Sequence, residues 1–194
     1  MAETTAPLPR QLYESEAVRQ LDRLAINHFD TTGFELMRRA GEACLHAIRK
    51  RWPLTAHLVV FAGAGNNGGD GYVLAALARE LGITSEVLYL SPPELLAGDA
   101  SKAYKMAVGA CAEIHPFVEA AFVLHGHQPN TLLVDAMLGT GLSRLVSGDY
   151  VNAIRAMNAC QAPVLAVDVP SGLNADTGQA FNEAVSASQT ITFV

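Results

Sequence analysis

Paired cysteines, basic clusters and long apolar runs are all scarce in this sequence, and each shortage removes a class of function. No apolar run approaches the roughly 18 residues of a membrane span, and the amino-terminal MAETTAPLPRQ lacks the apolar stretch of a secretory leader. A cytoplasmic protein is the default reading. The three cysteines, Cys44, Cys111 and Cys160, are odd in number, widely spaced and set within apolar helical patterns. They make neither a disulfide framework nor a metal knuckle, which favours a reducing compartment. Lysine and arginine number 13 against 19 acidic residues, for a net charge of -6, and only RR at 38–39 and RKR at 49–51 stand together, on one helical stretch. Nucleic acid and anionic membranes are therefore poor partners. Repeats, linkers and low-complexity segments are absent as well.

The chain has 194 residues, 50% of them hydrophobic, enough for one domain with its own core. Two amphipathic stretches come first, SEAVRQLDRLAINHF from Ser15 and TTGFELMRRAGEACLHAIRKRW from Thr31, the second with Leu36, Ala40, Ala43, Ala47 and Ile48 spaced for one helical face. Short apolar runs then alternate with helical patterns. HLVVFA, SEVLYL, TLLVDA, PVLAVDV and QTITFV read as strands, with the short Glu113–His115 as a further one. GYVLAALARELG, DASKAYKMAVGA, FVEAAFVLHG and DYVNAIRAMNAC read as helices. This alternation predicts an α/β fold: a Rossmann-like three-layer α/β/α domain with a mostly parallel central sheet and two N-terminal helices. The last run stops at Val194 in what reads as mid-sheet. The expectation is one domain over 1–194, cut before its last sheet residues and belonging to something longer.

The first strand breaks into AGAGNNGGDGY. Gly63, Gly65 and Gly68 satisfy G-x-G-x-x-G, and a glycine loop between strand and helix is a common anion site. The dinucleotide fingerprint also wants an acid at the end of the second strand to hold a ribose, and that strand ends YLSPP. A P-loop fails too, since no Gly-Lys-Ser/Thr follows. What remains is a loop in which Asn66, Asn67 and Asp70 present amides and a carboxylate on a backbone freed by Gly68 and Gly69. Asn-Gly and Asp-Gly are also ordinary turn pairs, and Asp70 is placed to be the N-cap of the following helix.

Two later strands end in the same style, delivering Asp135 from TLLVDA and Asp168 with Ser171 from PVLAVDVPSG. In an open parallel sheet the carboxyl ends share one edge, so Asn67, Asp135, Asp168 and Ser171 are expected to converge there. Carboxylates crowded together need a compensating cation or fixed donors. The donors are all oxygen, which fits an alkali or alkaline-earth ion better than zinc. The loop Gly139–Arg144, GTGLSR, is a second glycine-rich loop, suited to phosphate through backbone N–H groups and the Arg144 guanidinium. Met37 reads as core, His115, His125 and His127 as loop histidines, and Cys44 as a small buried hydrophobe.

AGAGNNGGDGYVLAALAREL, LLVDAMLGTGLSR and AVDVPSGLNADTG, with ELMRRAG on the second helix, together resemble the NAD(P)HX epimerase family, which includes the apolipoprotein A-I binding protein of animals. The resemblance runs from about Leu12 to the end. It implies interconversion of the R and S epimers of hydrated NADH and NADPH, with the dinucleotide as substrate rather than cofactor. By motif, Asn66, Asn67, Gly68, Gly69 and Asp70 would contact it, with Gly139, Thr140, Gly141, Leu142, Ser143, Arg144 and Asp168. Asn67, Asp135 and Ser171 would hold a potassium ion, and Asp168, beside the nicotinamide ring, would be the catalytic residue. Leu145 stands where many relatives have proline. The resemblance also implies a downstream ADP- or ATP-dependent dehydratase domain in the full-length protein and leaves a homodimer open. Two other readings stand beside it: a non-catalytic nucleotide- or partner-binding module, and a hydride-transferring dehydrogenase.

Overall fold

The computed structural model describes residues 13–28, 31–119, 122 and 129–193. Its strands are β1 (His57–Ala62), β2 (Thr84–Tyr89), β3 (Glu113–Pro116), β4 (Thr131–Ala136), β5 (Val164–Val167) and β6 (Gln189–Ile191). They form one six-stranded sheet in the order β3-β2-β1-β4-β5-β6, and every pairing is parallel. The α-helices among the described residues are α1 (Ser15–His28), α2 (Gly33–Arg51), α3 (Asn66–Glu80), α4 (Gly98–Gly109) and α5 (Asp149–Ala159), with a short 3₁₀ turn at Pro93–Leu95. The expected α/β/α architecture is therefore present. The helix expected over 117–126 falls largely outside the described residues, as do His125 and His127. No helix among the described residues is long and apolar enough to cross a membrane.

The two faces of the sheet are visible in the period of two along β1. Leu58, Val60 and Ala62 join the core under α2, α3 and α4, while Val59 and Phe61 join the one under α5. Because both faces are covered, the central strands are apolar throughout, which is why they read as unbroken runs. On the α5 side Phe61 meets Phe122 edge-on with ring centroids 5.1 Å apart. The α3 helix lies on the sheet between α2 and α4, and nearly every residue from Asn67 to Ala78 is buried.

The start of α2 is set by a Thr-x-x-Glu box, in which the Thr32 hydroxyl accepts from the Glu35 N–H at 3.1 Å. Its last turn carries Arg49, Lys50 and Arg51, a favourable end for cations. The buried stripe is Met37, Ala40, Gly41, Cys44, Leu45 and Ile48. The sequence-based face is thus corrected by about one position: Ala43 is exposed and Leu36 and Ala47 are only partly covered. Gly41 is required there, since a Cβ would come 2.6 Å from a Val73 methyl of α3. Only Cys44 lies inside a helix; Cys111 is exposed in the turn after α4 and Cys160 caps the end of α5. His115 belongs to the edge strand β3 and is exposed, not in a loop.

Candidate functional site

The strand order reverses between β1 and β4, so the connections leaving their carboxyl ends diverge to opposite sides and open a crevice. A cleft of about 740 Å³ occupies that position. Its walls are the turn Ala64–Asn67, Asp70, the segment Met137–Ser147 after β4, Tyr150, Asp168, Phe193, and three residues of α1: Val18, Arg19 and Asp22.

On the β1 side, the expected loop is largely helix. NNGGDG forms the opening turns of α3, Gly65 is the N-cap, and it offers no side-chain bond. Asp70 is therefore not the N-cap; it sits one turn further in. The spacing hid this because asparagine and glycine are weak helix formers, and tertiary packing overrides them. The glycines permit close approach. A Cβ on Gly63 would collide with the Met137 carbonyl, and one on Gly68 with the Gly63 carbonyl, so strand, helix and β4 loop meet backbone to backbone. Gly69 faces Met37 of α2, whose sulfur would lie 2.6 Å from an added Cβ. The early N–H groups of α3 are left for the cleft, together with the positive end of the helix dipole.

The β4 and β5 ends are joined by a buried network. Asp135 is wholly buried. Its carboxylate accepts from the Ser171 N–H at 2.7 Å, the Ser171 hydroxyl at 2.5 Å and the Met137 N–H at 3.2 Å. Ser171 Oγ in turn accepts from the Leu138 N–H at 2.9 Å. Asp135 and Ser171 thus lie beneath the cleft floor rather than on it, while Leu138 forms that floor. Asp168 is on the surface of the cleft. Its φ of 68° is the left-handed region, and the Val169 N–H donates to the Val167 carbonyl at 2.9 Å across it, closing a γ-turn. One carboxylate oxygen accepts from the Thr140 N–H at 2.9 Å. Gly139 leaves the space: a Cβ there would come 2.6 Å from that same oxygen and 3.4 Å from the Asn67 Cβ. Asn67, Gly139, Thr140 and Asp168 are therefore neighbours, with Asp135 and Ser171 one layer below.

Asn67 is 8% exposed, and neither its amide nitrogen nor its amide oxygen has a hydrogen-bond partner. Buried polar atoms are rarely left so. An oxygen-coordinated ion or a polar ligand group would satisfy it. Among the described residues no three His, Cys, Asp or Glu side chains gather as metal ligands, so an ion here would rest on amide, hydroxyl and single-carboxylate oxygens.

Burial pushes the Asp70 carboxyl up from its ordinary 3.8 to about 8, and the neighbouring Asp168 and Asp22 add to the shift. Asp135 is pushed up to about 6 by burial, held back by its bonds from Ser171 and Met137. Asp168 is raised by burial, opposed by the Thr140 N–H and reinforced by Asp22. The same buried region raises the Cys44 thiol to about 12, through burial and then Asp70. A raised carboxyl favours the protonated folded state, so its stabilising effect is complete below about pH 4 and lost as pH rises through about 8. Asp70→Asn removes that loss. In the ligand-free protein the variant is expected to gain on the order of a few kcal/mol at pH 9 and little at pH 4. Denaturant titration at the two pH values measures this; a difference independent of pH would contradict it.

Sequence reasoning missed Val18, Arg19 and Asp22, because α1 reads as an ordinary amphipathic helix and no local signal says that it walls the cleft. Tyr150 on α5 and Phe193 after β6 also line the cleft without a local signal in the sequence. Arg144 is exposed at the rim and makes no ion pair with a described residue.

Residues 33–194 match the family model described as YjeF-related protein N-terminus. The chain belongs to this family. Relatives in it include the NAD(P)H-hydrate epimerase of Limosilactobacillus reuteri, 35% identical over 184 residues, 94% of this chain and 84% of that protein. The bifunctional NAD(P)H-hydrate repair enzyme Nnr of Coxiella burnetii is 40% identical over 183 residues, and that of Escherichia coli 36% over 194. The chain spans 36% and 37% of the length of those two. The crystal structure of yeast ynu0 superposes with a TM-score of 0.81 at 20% identity, covering 94% of this chain and 79% of that one. The yeast protein shares the fold, so the YjeF-type sheet and helices persist where most side chains differ.

Proposed function

We propose that this YjeF-type domain is an NAD(P)H-hydrate epimerase that interconverts the R and S epimers of hydrated NADH and NADPH. The observation carrying the reading is Asp168, a carboxyl raised by burial and fixed by the Thr140 N–H on the wall of a cleft that also contains the N-terminus of α3. The named relatives act on the hydrated dinucleotide by their own names, and such a substrate has a pyrophosphate to offer the helix end of the cleft and a ring to offer the Asp168 end. Its pyrophosphate would rest on the N–H groups at Asn66, Asn67 and Gly68 and on the loop Gly139–Arg144. Its reduced ring would lie by Asp168. Gly69 and Asp70 shape the wall behind.

The hydroxyl of the hydrated ring sits on a carbon beside the ring nitrogen. Protonating it lets water leave, and the nitrogen lone pair forms an iminium ion. Water returning to the opposite face completes the inversion. One positioned carboxyl contributes about 10²- to 10⁴-fold to such a step. A potassium ion is part of the proposal: Asn67, Asp135 and Ser171 would hold it, and the orphaned Asn67 amide is what favours it. When bound it would offset the buried negative charge and fix the loops. The missing acid after β2, where the chain continues Leu90 and Ser91, disfavours a hydride-transferring dehydrogenase. A downstream dehydratase domain is likewise a proposal, favoured by the length of the bifunctional relatives beyond this region.

The phosphate half of the reading is tested at Arg144, the base that closes the glycine loop. Arg144→Ala is expected to weaken hydrated-dinucleotide binding by roughly 1–3 kcal/mol, the scale of hydrogen bonds to charged groups. Turnover at saturation stays nearly intact. Equilibrium titration and initial rates at high substrate measure the two; unchanged affinity would remove Arg144 from the site.

A further inference from the structure

Inverting a carbon demands something at both of its faces. The hydroxyl departs on one side and water enters on the other, so a carboxyl fixed against one face is badly placed to serve both. Asp168 is fixed in this sense, by its γ-turn and by the Thr140 N–H. A second carboxylate belongs to the same cleft yet comes from a different element. Asp22 lies on α1, one helical turn after Val18, so the two share the side of the helix that walls the cleft.

Three further observations make Asp22 more than a surface acid. First, α1 is tied to the site: the Ser15 N–H and hydroxyl both donate to Asp176 at 2.7 Å, in the segment that follows Asp168. Second, Arg19, which walls the cleft one turn before Asp22, is engaged elsewhere, since it pairs with Glu16 at 3.0 Å. Among the described residues Asp22 forms no hydrogen bond or ion pair. Third, its field reaches both Asp70 and Asp168 and raises them, while partial burial raises Asp22 itself. The unpartnered, buried Asn67 amide in the same cleft is a separate sign that a polar ligand is wanted here.

We propose that Asp22 is the second acid–base group of the epimerisation, serving the ring face opposite to Asp168; this rests on the epimerase reading above. In one direction protonated Asp168 gives its proton to the ring hydroxyl, the carbon–oxygen bond breaks with its electron pair leaving as water, and the nitrogen lone pair forms the carbon–nitrogen double bond. A water on the far face then bonds to the carbon, the π pair returns to nitrogen, and ionised Asp22 takes the water's proton. Asp22, which is exposed to solvent, gives its proton to water, and Asp168 regains one from water in the cleft, which restores both groups for the next turnover. Asp168 is the more buried of the two and is raised further by the charge of Asp22, which favours the proton on Asp168 and the charge on Asp22.

The test follows oxygen from ¹⁸O-labelled water into each purified epimer, with wild type, Asp22→Asn and Asp168→Asn. Asp22 has no protein partner to lose, so Asp22→Asn is expected to fold, as circular dichroism will check. Asp22→Asn is expected to lower interconversion at least about 10²-fold, with dinucleotide affinity within about threefold of wild type. It still exchanges label into one epimer with retained configuration, and Asp168→Asn does so with the other epimer only. Wild-type interconversion by folded Asp22→Asn would overturn the proposal, as would equal loss of exchange in both epimers. A wild-type chain that neither exchanges nor interconverts them would overturn the epimerase reading itself.

Discussion

Asp168→Asn is expected to lower epimerisation at least about 10²-fold while leaving folding and dinucleotide affinity close to wild type. Asparagine is among the few residues at ease with the positive φ of 68° found here, so the γ-turn survives. Its amide oxygen still accepts from the Thr140 N–H, which keeps the loop Gly139–Arg144 in place. What disappears is a group able to give and take a proton at the place proposed for the ring. The turn also stores strain of the order of 1–3 kcal/mol, the usual cost of such a conformation, which is tolerated where it fixes a functional group. Initial rates from one purified epimer, with a binding titration on the same preparation, separate the two effects. Near-normal turnover by the folded variant would remove Asp168 from the chemistry.

Asp135→Ala carries the largest expected loss of stability, roughly 2–4 kcal/mol. The carboxylate takes three donors from two loops, and truncation leaves the Ser171 N–H and the Met137 N–H without their acceptor in a region with no water-facing surface, while the Ser171 hydroxyl can turn to the Leu138 carbonyl at 3.2 Å. Each orphaned donor costs about 1–3 kcal/mol, and part of that is recovered by no longer burying a carboxylate. The same variant tests the proposed ion. Wild type is expected to be stabilised by potassium more than by sodium at equal ionic strength, and Asp135→Ala to lose the difference. Thermal unfolding in the two salts reads both effects. Equal wild-type midpoints would contradict a potassium-selective site, and an undiminished preference in the variant would remove Asp135 from it.

The fold was legible because burial on both faces makes the strands of a parallel sheet into apolar runs such as HLVVFA and TLLVDA, with glycine and aspartate marking where each ends. Even the short β3 is visible as Glu113–His115. The start of α3 was not legible. Asn66 to Asp70 is poor helix sequence, and it is helical because Gly68 packs on the Gly63 backbone and Gly69 under Met37. That packing also gives ELMRRAG on α2 its place beside NNGGDG: Met37 and Gly41 brace the helix that forms the cleft wall. The cleft was foreseeable from strand ends alone, but its depth was not. Sequence put Asp135, Ser171, Asp168 and Asn67 at one edge; only the packing separates the buried Asp135–Ser171 pair from the cleft-facing Asp168. Asp22 was invisible, since an acid on an amphipathic helix carries no local mark of the surface it faces.

Inversion of the hydrated carbon of the reduced nicotinamide ring is the reaction proposed for this cleft. Its most direct test starts from one purified NADPH-hydrate epimer, adds the chain at catalytic concentration, and separates the two epimers by chromatography over time. The expected result is approach to the equilibrium mixture at a rate proportional to protein concentration and well above that in buffer, with no oxidation of the ring. A time course indistinguishable from buffer alone would contradict it.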